Sequence, residues 1–200
     1  MSQSILRELI EAVGVLAGKG LAPATGGNFS ARASDESFYI TRSGVDKSSL
    51  TEADFLTCDL SGNPLVEGSK PSAETLVHAA LYTLNPSIGS VLHTHSVPLT
   101  VLSMEEDEAI TFTGYEMQKS IKGNSTHDST LELPIVENTQ DMKSLHDFLL
   151  TEPEAVKGSG FILKGHGLYA WGDNVFEARR HVEGFEFLLE CELKRRLLNK

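Results

Sequence analysis

The sequence contains few cysteines, and their placement argues against two kinds of structure. The only two in 200 residues are Cys58 and Cys191, which are far apart and lie in no metal-ligand spacing. Disulfide-framed secreted domains and cysteine-bound zinc modules need more cysteines at closer intervals. The pattern is typical of reduced thiols, and we expect a cytoplasmic protein.

Basic residues are also scarce relative to acidic ones. Lys and Arg together number 17 against 28 Asp and Glu, which gives a formal net charge of −11. Binding to nucleic acid or to an anionic membrane surface requires a basic patch, and none is visible in the sequence. We therefore expect neither nucleic acid nor a membrane as a partner. A small phosphorylated substrate held by a few local groups is compatible with this charge.

Long apolar runs are absent as well. No stretch of the sequence is apolar for the length that a bilayer-spanning helix needs. Near the N-terminus, apolar residues recur at helical spacing from Ile5 to Leu16, but Glu8 and Glu11 interrupt them. This pattern indicates an amphipathic surface helix and not a signal peptide.

The order of the secondary-structure signals predicts a layered fold. Short strands and hairpin-like turns are interspersed with helices, among them the segments 72–84, 114–121 and 174–198. With 40% hydrophobic residues, the chain is long enough to bury one sizeable core. We predict a single domain over residues 1–200 with an α/β fold, in which helices cover a largely antiparallel central sheet.

Three histidines form the most informative pattern. His93 and His95 lie two residues apart in a predicted strand, so both side chains leave the same face of the sheet. His166 lies far along the chain between Gly165 and Gly167, where the backbone can turn sharply. Three imidazoles with one coordination position left open are a ligand set typical of a catalytic zinc site. The sequence therefore predicts a metal site.

Three polar turns accompany these histidines. They are the segment 25–28, the pair Ser43-Gly44, and the segment 70–74, in which Ser72 is predicted to begin a helix. Glycine-rich turns and helix N-termini present backbone N–H groups that bind a phosphate monoester without any net positive charge. Each turn alone is more often a simple turn or helix cap, but the three together favour a phosphate site.

Two carboxylates are candidates for moving protons. Glu74 lies in the first turn of the predicted helix. Three roles are open for it there: stabilising the helix through its dipole, binding a metal ion, or acting as an acid or base. Glu116 is either a surface-helix residue or a proton carrier. Among the remaining histidines, we expect His78 to be a half-buried helix residue and His181 to lie on the surface.

Together these residues resemble the class II aldolase and adducin family. The order and spacing of its motifs match from about Thr25 to Leu189. The matching residues are Gly27-Asn28, Ser43-Gly44, Pro71-Ser72-Ala73-Glu74, His93-Thr94-His95 and His166. The resemblance implies a class II aldolase-like three-layer fold. It also implies a homotetramer with fourfold symmetry and active sites at subunit contacts.

Further segments are similar to a dehydratase branch of this family that acts on a phosphorylated methylthio sugar. These segments are 70–75, 114–119, 124–127, 133–138, 165–172 and 177–183. The resemblance implies a zinc-dependent hydro-lyase with one Zn²⁺ per subunit, held by His93, His95 and His166. It implies Glu116 as the acid/base group and a sugar-phosphate substrate. The implied phosphate pocket consists of Asn28, Ser43, Gly44, Ser72 and, as a weaker candidate, Lys119.

Two alternatives stay open. Aldolases of this family have a glutamate at the position of Glu74. The chain is therefore also compatible with a sugar-phosphate aldolase or epimerase that acts on fuculose, rhamnulose or ribulose phosphates. This glutamate also leaves the division of acid/base roles between Glu74 and Glu116 open. The other alternative is a non-catalytic adducin-like interaction domain, which does not need the histidine triad. The metal site does not separate dehydratase from aldolase, because the fate of the C4 hydroxyl decides between them.

Overall fold

The computed structural model describes residues 2–72 and 74–199. The eight strands are β1 (Asn28–Ser34), β2 (Ser37–Thr41), β3 (Phe55–Asp59), β4 (Ser90–Thr94), β5 (Ala109–Phe112), β6 (Leu131–Val136), β7 (Gly160–Leu163) and β8 (Gly167–Gly172). The α-helices are α1 (Ser2–Gly18), α2 (Thr75–Leu84), α3 (Val97–Glu105), α4 (Met142–Thr151) and α5 (Val175–Leu198). Short 3₁₀ turns occupy Pro23–Thr25, Glu52–Asp54, Glu116–Ser120 and Pro153–Val156.

The strands form one mixed sheet in the order β3-β2-β1-β4-β8-β7-β6-β5. Neighbouring strands are antiparallel except β6 and β7, which are parallel. The predicted α/β class with a largely antiparallel sheet is therefore confirmed. Among the described residues, no helix is long and apolar enough to cross a membrane.

Helices cover both faces of this sheet because its strands alternate between two hydrophobic cores. On β4, Val91 joins the core under α2 and α4, whereas Leu92 joins the core under α1, α3 and α5. On β8, Tyr169 and Ala170 divide in the same way. This alternation follows from the two-residue repeat of a strand. Each fully buried leucine, valine or phenylalanine side chain contributes about 2 kcal/mol to the hydrophobic driving force.

The register at the middle of the sheet places three site residues side by side. β4 lies between β1 and β8, and His93 is paired with Asn28 on one side and with Tyr169 on the other. The carboxyl end of β4 is thus the point where β1, the turn between β7 and β8, and the start of α2 meet. The functional site is built around this position.

Helix α2 begins later than predicted. The expected start was Ser72, but the first helical residue is Thr75. Ser72 instead lies in a turn, where its hydroxyl accepts from the Glu74 amide at 3.4 Å and its carbonyl accepts from the Thr75 amide at 3.1 Å. Ala73, which belongs to the same motif, lies outside the described residues. The turn moves Glu74 away from the helix interior and toward the histidines.

Candidate metal centre

The three predicted histidines come together at one point of the structure. His93 is the second-to-last residue of β4, His95 follows the strand directly, and His166 lies in the turn between β7 and β8. One ligand nitrogen from each ring lies within 4.8 Å of the other two. The Nε2 atoms of His93 and His95 are 2.9 Å apart. Three nitrogens that converge in this way can bind one ion.

The protonation state of His93 suits a metal ligand. Its Nδ1 lies 3.0 Å from the carbonyl oxygen of Leu168. Since a carbonyl only accepts, Nδ1 carries the hydrogen, and the lone pair is on Nε2, which faces the other histidines. Burial lowers the pKa of His93 well below its usual value, so the ring is neutral. Burial also lowers the pKa of His95, with the neighbouring His166 charge acting in the same direction.

Close packing fixes the orientation of the His93 ring. The ring stacks on Tyr169 with centroids 4.1 Å apart, and Tyr169 stacks in turn on Phe161 at 5.1 Å. Two glycines allow the backbone to approach. A Cβ at Gly27, whose φ is +80°, would lie 2.6 Å from the His93 carbonyl oxygen, and one at Gly167 would lie 2.5 Å from the His93 Cε1 atom. Neither position has space for a side chain.

Glu74 completes the arrangement as an ionised carboxylate beside the histidines. Its Oε1 lies 3.1 Å from His166 Nε2, and its Oε2 lies 3.8 Å from His93 Nε2. Burial acts to raise the pKa of Glu74, but the hydrogen bond from His166, the nearby imidazoles of His93 and His166 and the amide of Asn28 together lower it to about 2. Imidazole nitrogens beside a carboxylate suit zinc and other divalent transition metals, so the residues present fit a metal ion.

A polar cavity of about 400 Å³ opens next to the histidines. Seven of the predicted site residues line it: Asn28, Ser43, Gly44, Ser72, Glu74, His95 and His166. Three further side chains that were not predicted also line it: Arg42, Gln140 and Met142. The cavity thus joins the predicted phosphate turns to the predicted metal ligands.

A buried lysine holds one wall of this cavity. Lys47 is only 2% exposed, and its Nζ donates to the carbonyls of Thr25 at 2.8 Å and Val45 at 2.9 Å. These bonds support a turn in which Ala24 and Thr25 adopt left-handed φ values of 51° and 64°. Such a conformation is unfavourable for residues other than glycine and persists where the surroundings enforce it. Lys47 therefore stabilises the turn that precedes Gly26.

Comparison with known proteins identifies the family of this chain. The family model described as class II aldolase and adducin N-terminal domain matches residues 7–193. This chain belongs to the class II aldolase and adducin family. A methylthioribulose-1-phosphate dehydratase from Serratia proteamaculans (strain 568) is 49% identical over 195 residues, which cover 96% of each chain. The protein of the same name from Pseudomonas fluorescens (strain Pf0-1) is 45% identical over 97% of this chain and 94% of its own length.

A solved structure supports the same family assignment. The crystal structure of l-fuculose-1-phosphate aldolase from Thermus thermophilus has a TM-score of 0.80 and 26% identity, and the match covers 100% of this chain and 98% of that one. The predicted class II aldolase-like fold is thus confirmed.

Two predicted site residues of this chain do not line the cavity. Glu116 and Lys119 are on the 3₁₀ turn beside α5, and neither lines the cavity. The Glu116 side chain is 72% exposed and contacts Lys119 at 2.6 Å and His127 at 3.4 Å. The hydrogen bond from Lys119 lowers the pKa of Glu116. The described part of one chain therefore does not bring these two residues to the histidines.

The sequence did not predict Arg42 as a site residue, and it led to an underestimate of how deeply His78 is buried. Arg42 lines the cavity next to Ser43, and its Nε donates to the Ala53 carbonyl at 3.1 Å. An arginine beside a Ser-Gly turn is easily taken for a surface charge, although a cation next to a predicted phosphate turn was a usable signal. His78 was expected to be half-buried, but it is fully buried.

Proposed function

We propose that this chain catalyses the zinc-dependent dehydration of 5-methylthioribulose 1-phosphate to 2,3-diketo-5-methylthiopentyl 1-phosphate, a step of methionine salvage. The observation that carries the proposal is the joining of the histidine triad to a polar cavity, in a chain that is nearly half identical from end to end to methylthioribulose-1-phosphate dehydratases. An interaction domain without catalytic activity does not require this arrangement.

His93, His95 and His166 would hold one Zn²⁺ in each subunit. When bound, zinc supplies Lewis acidity, which polarises a ketone and acidifies the adjacent C–H. The donor set favours zinc because three imidazoles leave room for substrate oxygen in the coordination sphere. The hydrogen bond from His93 Nδ1 to Leu168 keeps the first of these ligands oriented before the ion arrives.

The cavity has separate places for phosphate and for the reacting carbons. The turn at Gly27, the Ser43-Gly44 pair and Ser72 would bind the phosphate through N–H and O–H groups, and Arg42 adds a positive charge on the same side. Anchoring the phosphate fixes the carbon chain relative to the histidines. Binding energy far from the reacting bond then supports catalysis.

Dehydration needs one base and one acid. A base removes the proton from C3, the C4 hydroxyl leaves as water after receiving a proton, and the resulting enol tautomerises to the 2,3-diketone. Glu74 lines the cavity and lies 3.1 Å from His166, so its position is suited to taking the C3 proton. Glu116 would give the proton to the C4 hydroxyl, which requires that it reach the cavity of another copy.

We therefore propose a homotetramer in which Glu116 acts in the cavity of a neighbouring subunit. On one chain Glu116 is exposed and away from the cavity, and a subunit contact would remove it from water. Removal from water raises a carboxyl pKa, so the group keeps a proton near neutral pH that it can donate.

Mixed oligomers test this arrangement. The variants Glu116→Gln and His93→Ala should each be inactive, but tetramers reassembled from equal amounts of the two should regain about one quarter of wild-type activity, because each site draws on two subunits. Absence of any recovery in tetramers shown to be mixed would place Glu116 in its own subunit's site or outside the mechanism.

Product analysis tests the reaction itself. We expect the protein to convert 5-methylthioribulose 1-phosphate to the diketone without cleaving a carbon–carbon bond. The aldolase alternative, which Glu74 keeps open, predicts release of dihydroxyacetone phosphate or a similar fragment from a ketose 1-phosphate. Cleavage of that kind, with the methylthio sugar left untouched, would overturn the proposal.

A further inference from the structure

A row of buried polar residues runs from Glu74 into the interior, between helix α2 and strand β1. Glu74 directly precedes the helix, and His78 and Tyr82 follow at four-residue steps on one helix face. Asn28 and Ser30 are spaced two apart and lie on one face of the strand. Four residues advance a helix by about 6 Å, and two residues advance a strand by about 6.6 Å. The two repeats therefore stay in step, and the side chains interdigitate.

Hydrogen bonds connect the five residues in alternation between helix and strand. The Glu74 carboxylate accepts from the Asn28 amide, and the Asn28 Oδ1 is 2.5 Å from His78 Nε2. The Ser30 hydroxyl is 2.7 Å from His78 Nδ1 and 2.8 Å from the Tyr82 hydroxyl. All members except Glu74 are at most 4% exposed.

The chemistry of each group sets the direction of every bond in this row. The Asn28 NH₂ group lies against the Glu74 carboxylate and donates to it, so the Asn28 carbonyl oxygen faces His78. A carbonyl only accepts, so the hydrogen of His78 is on Nε2. Burial lowers the pKa of His78 to about 3, which leaves the ring neutral and its Nδ1 an acceptor. Ser30 therefore donates to His78, and Tyr82 donates to Ser30.

We propose that His78 is a positioning residue that holds Asn28 in the one orientation able to donate to Glu74, and so aims the Glu74 carboxylate at the reacting carbons. His78 does not line the cavity and acts only through Asn28. If the imidazole were absent, the Asn28 amide could rotate and bring its oxygen against the carboxylate, and Glu74 would turn away from the cavity. This inference rests on the proposed function of Glu74 as a base.

A double-mutant cycle tests this coupling. His78→Phe keeps a ring of similar size in the position where His78 now contacts Tyr169 edge-to-face at 5.7 Å. We expect it to lower kcat on the order of 10- to 100-fold, as is typical when the partner of a site residue is lost, with a smaller change in KM. In a chain that already carries Asn28→Ala, His78→Phe should cause no further loss. If the two effects multiply instead, His78 does not act through Asn28.

His181→Phe is the matched control. His181 is also fully buried with both ring nitrogens hydrogen-bonded, to the Trp171 carbonyl at 2.6 Å and from the Lys122 amide at 3.1 Å. Its replacement removes the same number of bonds at a place without connection to Glu74. We expect similar losses of thermal stability in both variants, with kcat reduced only in His78→Phe. Equal kcat losses in both would show a general structural effect and overturn the proposal.

The wild-type protein provides a test that needs neither activity nor a stable variant. In ¹⁵N-histidine-labelled protein, long-range ¹H–¹⁵N correlations should show His78 as the Nε2–H tautomer, unchanged between pH 5 and pH 8. A Nδ1–H tautomer would reverse the hydrogen-bond direction and refute the proposal. Wild-type protein that shows the predicted tautomer but does not dehydrate the methylthio sugar would instead contradict the proposed function.

Discussion

Replacing Gly167 by alanine should weaken metal binding without disturbing the rest of the fold. The added Cβ would lie 2.5 Å from the His93 Cε1 atom and 2.5 Å from the Thr94 carbonyl oxygen. Carbon atoms in normal contact are about 3.5–4.0 Å apart. The His93 ring or the β8 backbone must therefore shift by roughly 1 Å, a displacement set by that contact distance.

The ring cannot make this shift freely. Tyr169 stacks against one face of His93, and the Leu168 carbonyl holds its Nδ1. Forcing one extra methyl group into a packed site costs about 1–3 kcal/mol. If this strain displaces His93 from the orientation that binds the ion, zinc affinity decreases on the order of 10- to 100-fold.

Competition with a chelating dye measures this affinity directly. The control is Gly14→Ala on α1, where an added Cβ meets nothing within 4 Å. We expect the control to bind zinc like the wild type and Gly167→Ala to bind it more weakly, with the far-ultraviolet spectra of both unchanged. Wild-type zinc affinity in a folded Gly167→Ala protein would refute the view that close backbone approach fixes His93.

Two further predictions concern stability and substrate binding. Burial raises the pKa of Glu186 from its ordinary 4.5 to about 7, so the native chain keeps a proton that the unfolded chain releases, and stability decreases as pH rises between these values. Glu186→Gln should therefore raise the free energy of unfolding by on the order of 3 kcal/mol at pH 8 and by clearly less at pH 5. Thermal unfolding at both pH values checks this, and an equal effect at each would contradict it. Arg42→Ala should raise KM about tenfold with little change in kcat, because a charge-assisted bond to phosphate is lost. Steady-state kinetics would contradict this expectation if kcat alone fell.

Much of the fold could be predicted because it follows from local periodicity. The two-residue repeat at His93 and His95 and the apolar stripes of α1 and α5 were sufficient for the layered α/β class. Short elements were harder to predict. The four-residue strand β5 was not predicted, and segment 114–121, expected to be helical, contains only the 3₁₀ turn Glu116–Ser120. Elements this short carry too few repeats to establish a period.

Only those parts of the site that consist of short local motifs could be predicted from the sequence. The three histidines and the polar turns predicted to bind phosphate are short sequence patterns, and the structure places them around one cavity. The contact between Asn28 and Glu74 depends instead on the pairing of β1 with β4 and on the delayed start of α2, neither of which is encoded locally. His181, expected on the surface, is buried for the same reason, because its partners come from β8 and from the segment after the 3₁₀ turn.

The most direct test of the central claim is a zinc titration of metal-free protein, with diketone formation from 5-methylthioribulose 1-phosphate as the readout. We predict that the rate is negligible without metal, rises in proportion to bound zinc and levels off at one ion per chain, and that His93→Ala shows no such rise. A full rate in protein shown to be free of metal, or unchanged zinc stoichiometry in His93→Ala, would contradict the account.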